Sequence, residues 1–536
     1  MQVARMSEAF ERLGPSFSFK PFSSILQPLI EEALAERGKD KFRRGTILIP
    51  QLLVWLVLGL TVRRDLNCQK VLNWLVSGLR WMQLLLPAKG TIVQDGAISH
   101  ARVKMGVEVF RALFVKLTGT CQELKADFHG LVTVIFDGTT GTMPDTESNE
   151  NEFKRPKSGR GKAAFPPMRI MALMAWSARV ILDIAYAACC GKGTGERTLV
   201  MQILDRTSLK NLLFLLDAGL YSFELLWKTS GNEHKFIVKA PKTVKLKPNH
   251  ILSDGSYLAR LKGKVLDPDA PPTKSGRRRW KKVSLLVRVI RLEIPGYRLV
   301  TLVTNLLDPE ITAREIALHY HQRWDIEIAY DEIKTHQCVT LRGQSPTTFR
   351  SKRADLVQQE LYALVIMYNL VRLLIAQAAT KHDKDPRFIS FLDALQHIID
   401  AAPIMTADPT GQDAEKLDHL LDLIADCDID RPRRQRINPR VVKVKMSNFR
   451  KKNDSHKSEY RNIEKELRII WEYQPAPQNP PAESRVQTRE IPRWDPVKQL
   501  WIWDIWTLFP PLFGETSPEC PDIALTFPHL SKASAN

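Results

Sequence analysis

Two short runs set the limits on this fold: LVTVIF at 131–136 and NLLFLL at 211–216. Both are apolar almost throughout and lack the alternation of a strand with one wet face. Runs of this kind form strands covered on both sides, which requires helices packed over a sheet. Between them, RIMALMAW (169–176) and VILDIAYA (180–187) are two more strand candidates, joined as a hairpin, and Glu196–Leu209 has helical spacing. Strand, hairpin, helix, strand predicts an α/β sheet.

The flanks differ in character. Residues 1–125 read as helical, with Ile25, Leu26, Leu29, Ile30 and Leu34 at helical spacing in Ser23–Arg37, and with similar patterns in Val71–Leu86 and Ala101–Leu117. Lys41, Arg43, Arg44, Arg63, Arg64, Arg102, Lys104 and Arg111 sit near helix ends, a pattern that fits a basic DNA-binding module and equally a helical cap with a solvated basic surface. Segments such as FIVKA, SLLVRVIRLEI and YRLVTLVTN make 235–304 β-rich, and helices resume at Ile311–Gln337 and Ala354–Ala379. The organisation expected is a helical domain over 1–125 and an α/β domain over 126–234 and 305–400, interrupted by a β-rich insertion at 235–304. A basic region at 401–470 and a Pro/Trp-rich tail at 471–536 complete the chain.

At 536 residues the chain is too long for one core, and its +19 charge calls for a polyanionic partner. The most apolar stretch, Thr46–Val62, contains Pro50 and Gln51 and is short for a membrane span, so it predicts a buried helix starting near Pro50. The N-terminus lacks the apolar run of a signal peptide. Seven cysteines without a C-x-x-C pair give no disulfide or zinc framework. Gly191–Gly195 misses the spacing of a nucleotide-binding loop. The expectation is a cytoplasmic, nucleoid-associated protein with no membrane partner.

Phosphodiester chemistry with divalent metals needs carboxylates that converge from rigid elements. Both buried runs are followed by aspartate, as VIF-Asp137-Gly138 and FLL-Asp217-Ala218, and each is expected at a strand end. A third element reads LHYHQRWDIEIAYDEIKTHQ. On a regular helix, at about 100° per residue, Tyr320, Arg323, Glu327 and Lys334 fall on one face. A metal-binding Glu flanked by phosphate-binding cations requires that alignment, whereas a solvated face does not.

Tyr-x2-Arg-x3-Glu-x6-Lys resembles the Y-R-E-K signature of the cut-and-paste bacterial insertion-sequence transposases of the "insertion element four" family. The neighbourhoods DGTTGTMPDTESNENEF, DAGLYSF and TNLLD resemble that family too, as do PQLLVWLVLGL and ISHARVKMG nearer the N-terminus. The likeness spans roughly residues 20–460. It implies a ribonuclease H-like catalytic domain interrupted by a β-rich insertion, with Asp137, Asp217 and Glu327 as a DDE triad holding two Mg2+ ions, Mn2+ being a substitute. It further implies that Tyr320, Arg323 and Lys334 hold phosphates of the element end. An aromatic from the insertion, Trp280 or Tyr297, would stack on a flipped base while a hairpin forms. The implied partners are double-stranded DNA, as terminal inverted repeats and as target, and a second copy of the chain in a synaptic homodimer.

The expected function is therefore metal-dependent excision of an insertion element and its strand transfer into target DNA. Two alternatives stay open: a catalytically inactive end-binding repressor, and a non-transposing endonuclease on the same fold. The tail RWDPVKQLWIWDIWTLFPPLF (493–513) departs from the family pattern.

Overall fold

A computed structural model describes residues 19–42, 47–76, 93–121, 124–158, 161–267, 270–271, 278–293, 299–337, 348–407, 413–429, 436–437, 459–460, 463–470, 493–495 and 500–502. The chain divides into two compact units. The first comprises Met1–Leu292, Val300–Arg434 and Arg468–Tyr473. The second comprises Glu293–Leu299, Gln435–Leu467 and Gln474–Asn536. In the second, Arg436–Ile437 pairs with Glu459–Tyr460 and Arg493–Asp495 with Leu500–Ile502, both antiparallel.

The first unit opens with α1 (Lys20–Glu36), α2 (Pro50–Val62), α3 (Cys68–Leu75), α4 (Asp95–Met105) and α5 (Glu108–Gly119). Pro50 starts α2, where its missing N–H costs nothing, and every residue of that helix except Gln51 is buried. The single helix expected over Ala101–Leu117 is two. Gly106 ends α4 at φ 80°, a left-handed conformation that glycine adopts without a Cβ clash. Most of Val71–Leu86 lies outside the described residues.

The α/β part follows as β1 (Val132–Thr142), α6 (Glu147–Phe153), β2 (Pro167–Ala175), β3 (Ile181–Ala188), α7 (Glu196–Arg206), β4 (Leu212–Leu216), α8 (Phe223–Gly231) and β5 (Lys235–Lys239). Then come β6 (His250–Ile251), β7 (Tyr257–Leu266), β8 (Trp280–Glu293), β9 (Val300–Thr304), α9 (Ala313–His321) and α10 (Asp325–Asp331). The unit continues with α11 (Ala354–Lys381), α12 (Phe391–Ala407) and α13 (Asp413–Ala425).

The main sheet has the order β3-β2-β1-β4-β5-β9-β8-β7-β6. β2 runs antiparallel to both β1 and β3, β4 and β5 run parallel to β1, and the strands from β9 onward pair antiparallel. The β-rich segment thus extends the same sheet, and its first strand, Lys235–Lys239, belongs to the parallel half beside β4.

Both faces of the central strands are covered, which explains their unbroken apolar runs. On one face Val134, Phe136, Leu212, Phe214 and Leu216 pack with Leu199, Ile203, Leu225 and Leu226 of α7 and α8. Phe136 and Phe214 stack there at 5.4 Å. α11 fastens the hairpin strand β3: Asn369 accepts from Ile181 N at 2.9 Å and donates to Ile181 O at 2.8 Å.

α11 is 28 residues long with mean hydropathy 1.6, enough by length and composition to span a membrane. Here 83% of its apolar window is buried, and it packs against α2 and α5 as a core helix. Arg102, expected on a basic surface, is only 3% exposed. It donates to Gln359 Oε1 at 3.3 Å and Leu356 O at 3.2 Å, and so ties α4 to α11.

Candidate active site

The register of the sheet brings the two aspartates together. β1 and β4 pair in parallel from Val132↔Leu212 to Ile135↔Leu215. The same offset carried two residues onward sets Asp137 level with Asp217. Asp217 follows the last residue of β4, as expected. Asp137 does not end a strand: β1 continues to Thr142, with Asp137 opposite Ala172 and Thr142 opposite Pro167. The reason is the hairpin partner. β2 runs alongside β1 past the point where β4 stops, so the Asp-Gly pair is held in a ladder and not released into a turn.

The third element is also less regular than its spacing implies. α9 opens with a capping box, Thr312 accepting from Glu315 N while the Glu315 carboxylate accepts from Thr312 N. Asp254 accepts from Ala313 N at 2.6 Å. Fully buried Arg288 of β8 pairs with Asp254 and donates to Asp308 O and Ile311 O at 2.8 and 2.7 Å. The extended part of the sheet therefore fixes where this helix begins. A 3₁₀ turn at Gln322–Trp324 and a π turn at Glu332–His336 then interrupt it. The single regular face predicted for Tyr320, Arg323, Glu327 and Lys334 is replaced by a broken path, of the kind π turns commonly mark at functional sites.

Along that path the side chains still reach the end of β4 and the body of β1. The Tyr320 hydroxyl donates to Leu216 O at 3.0 Å, immediately before Asp217, and the ring is 1% exposed. Lys334 donates to Thr139 Oγ1 and to Thr140 O at 2.9 Å, just beyond Asp137. Tyr320 and Lys334 were expected on phosphates; in this arrangement both polar groups are engaged on the sheet. Tyr330, which the sequence reading did not single out, donates to Asp137 O at 2.6 Å.

Arg323 is the common neighbour of the three acids. It is 4% exposed, stacks over Trp324 at 4.4 Å and pairs with Asp217 at 3.8 Å, while its Nε has no acceptor. Burial opposes its charge, yet Tyr320, Asp217, Asp137 and Glu327 together hold it above the ordinary arginine value. Burial raises Asp137 to about 6, Arg323 working against the rise and Asp217 and Glu196 adding to it. Burial also lowers Lys334, against the pull of Asp137.

Behind this helix lies a buried charge network that no local pattern announces. Trp176 donates to Asp325 at 2.7 Å, and Arg179, at the β2–β3 turn with φ 56°, lies 3.6 Å from Asp325 and 3.5 Å from Glu332. Arg372 of α11 pairs with Glu332, whose carboxylate also accepts from Tyr368 at 3.1 Å. These partners flank Glu327 in sequence on both sides.

Carboxylate oxygens suit hard divalent cations of the Mg2+ class, and a raised Asp137 beside Asp217 is a pair in want of positive charge. In chemical type the donors fit such an ion. Among the described residues, no three acidic, histidine or cysteine side chains stand close enough to hold one. Arg323 supplies the positive charge between the acids.

Other candidates lie elsewhere. Trp280 begins β8 opposite Leu266 and is 55% exposed, while Tyr297 lies outside the described residues. Burial pushes the Cys189 thiol up to about 11, which leaves it a poor nucleophile.

The sheet sets Asp137 level with Asp217, and comparison with known proteins supplies the class, a DDE transposase. Residues 129–370 match the family described as transposase DDE domain. Residues 18–115 match the insertion element 4 transposase N-terminal family. The chain belongs to the insertion element 4 family of DDE transposases and is a metal-dependent DNA-transposing enzyme. It is 26% identical over 424 residues to the transposase InsG for insertion sequence element IS4 of Escherichia coli (strain K12), covering 77% of this chain and 89% of that relative. The solved piggyBac transposase synaptic complex with hairpin DNA aligns at TM-score 0.38 and 10% identity, over 78% of this chain and 85% of that one.

Proposed function

We propose that Asp137, Asp217 and Glu327 are the catalytic carboxylates that cut DNA at the ends of an insertion element and join the freed 3′-hydroxyls to a target. The carrying observation is Arg323, a buried guanidinium in the field of all three acids with one donor still without an acceptor. The sheet order β3-β2-β1-β4-β5, with helices on both faces, supports a ribonuclease H-like core, and β6–β9 its β-rich insertion.

Each neighbouring side chain has a task in this reading. Tyr320 holds the end of β4 so that Asp217 stays level with Asp137. Tyr330 holds β1 at the Asp137 carbonyl and Lys334 holds it just beyond, at Thr139 and Thr140. Arg323 directs its free Nε–H to a non-bridging oxygen of the scissile phosphate, a charge-assisted bond stronger than its long contact with Asp217. Asp137, Asp217 and Glu327 would hold Mg2+, as a pair of ions, with Mn2+ as substitute. When bound, such ions supply charge neutralisation and an activated oxygen nucleophile. The substrates are terminal inverted repeats and target DNA, worked on by a synaptic homodimer in the bacterial cytoplasm, with release of ends through a hairpin.

The test is strand transfer. Pre-cut element ends with free 3′-hydroxyls are incubated with plasmid target and Mg2+. Joined products are expected. Hydrolysis without joining would mean an endonuclease, and end binding without either reaction an inactive repressor. Hairpinned ends on uncut donor DNA report the release route.

A further inference from the structure

We propose that Gln337 is a positioning residue for the transposition reaction: its side-chain amide locks the π turn that sets Lys334 against β1, and through Thr61 it ties that setting to the N-terminal helices. The inference rests on the active-site reading above, in which β1 presents Asp137. The π turn Glu332–His336 is closed by Gln337 N donating to Glu332 O at 2.8 Å, a span of five residues where a regular helix closes over four. Lys334 lies inside this turn and donates to Thr139 Oγ1 and to Thr140 O at 2.9 Å. Burial disfavours the charged form of Lys334, so the contact does not hold itself in place.

Both ends of the turn are fastened. Glu332 pairs with Arg372 and accepts from Tyr368 at 3.1 Å. Gln337 is 1% exposed, and its Nε2 donates to Leu364 O of α11 at 3.0 Å and to Thr61 Oγ1 of α2 at 3.3 Å. The same end of α2 reaches β1 by a second route. Arg64 donates to Thr348 O and Arg350 to Leu66 O. Phe349 N then donates at 2.9 Å to the carbonyl of Thr142, the last residue of β1. The N-terminal helices thus hold both partners of the Lys334 contact.

Stability does not account for an amide at this place. The Oε1 of Gln337 is buried without a donor, a cost that an apolar side chain of similar length would not carry. Its two partners do not depend on it: the Thr61 hydroxyl donates to Leu58 O at 2.7 Å, and Leu364 O lies mid-helix in α11. What the amide does is fix the register. With Glu332 anchored and Gln337 released, the turn relaxes to the α register. That turns the residues after Glu332 by as much as one residue's rotation, about 100°, and draws Lys334 off Thr139 and Thr140.

The experiment pulses the full chain, free of DNA, with acetic anhydride and reads acetylation of Lys334 by mass spectrometry. Thermal unfolding and the joining of pre-cut ends to a target plasmid are measured alongside. Gln337→Met keeps the volume and removes the amide. It is expected to raise Lys334 acetylation about ten-fold, the worth of an ordinary hydrogen bond, with Tm unchanged or higher. Joining at saturating end DNA is expected to slow by about the same factor while the Kd for ends holds. Thr61→Val is expected to act in the same direction, and Thr61→Ser, which keeps the hydroxyl, to behave as the native chain. Unchanged Lys334 acetylation in Gln337→Met overturns the proposal. So does a lowered Tm with acetylation raised at buried lysines throughout, the mark of a residue that only fills the core. Raised acetylation with joining at the native rate overturns it as well. Joining that survives Asp137→Ala removes the active-site reading instead, whatever Lys334 does.

Discussion

The indole of Trp176 donates a hydrogen bond of 2.7 Å to the carboxylate of Asp325, which has no exposed surface. Trp176 closes the hairpin edge of the sheet, and Asp325 opens the helix that carries Glu327. With Arg179, Glu332 and Arg372 they form a buried network that seats this helix. Removing one member of a buried pair leaves the other charge uncompensated, at about 3–5 kcal/mol. Asp325→Ala is expected to lose that much in urea unfolding, and with it most cleavage activity. A loss under about 1 kcal/mol would mean that the network is not what seats the helix.

His319 links stability to pH. It is 8% exposed, sits 2.7 Å from Thr133 Oγ1 and stacks on Phe128 at 4.1 Å; burial lowers it from 6.5 to about 3. The folded state keeps the imidazole neutral, whereas the unfolded chain takes up a proton below 6.5. This contribution to stability is therefore complete above 6.5 and is lost as pH falls from there toward 3, at about 1.4 kcal/mol per pH unit. His319→Gln is expected to flatten the pH dependence of the urea midpoint between pH 6.5 and 4.5. Equal slopes in the two proteins would refute a neutral, buried His319.

Gly141 lies under the ring of Phe349, where an added Cβ would come within 2.5 Å of a ring carbon. Phe349 is 2% exposed and its N–H donates to Thr142 O at 2.9 Å. Gly141→Ala is expected to cost about 1–3 kcal/mol by overpacking. Gly141→Ala combined with Phe349→Leu should cost less than the two single changes summed. Strict additivity would show that the ring and the glycine do not meet.

Alternation along β7 buries Ala259, Leu261 and Val265 while Arg260, Lys262 and Lys264 stay exposed, with Lys264 directly opposite exposed Lys282 of β8. Like charges across a strand pair are unfavourable unless an anion lies over them. Each change of these four to Gln is expected to weaken DNA binding and to reduce the slope of log K against log salt by about one. Unchanged slopes would place the DNA elsewhere.

Much of this was legible in the sequence, because strand runs, hairpin and motif spacing are local signals. The apolar runs at 131–136 and 211–216 marked strands covered on both faces, and the two aspartates after them stand level because β1 and β4 pair at that same spacing. The irregular helix was not legible. Its 3₁₀ and π turns lie beside partners from Trp176 to Arg372, far away in sequence, which periodicity does not register. The burial of Tyr320 and Arg102 was hidden likewise, since residue type alone does not say which polar groups a distant carbonyl will satisfy.

The most direct measurement is cleavage of DNA carrying the element's terminal repeats, in Mg2+ and in EDTA, by the native chain and by Asp137→Ala and Glu327→Ala. Nicking at the repeat boundary in Mg2+ is expected, abolished by EDTA and by either substitution while end binding persists. Cleavage that survives both substitutions would contradict the assignment of these carboxylates to the chemistry.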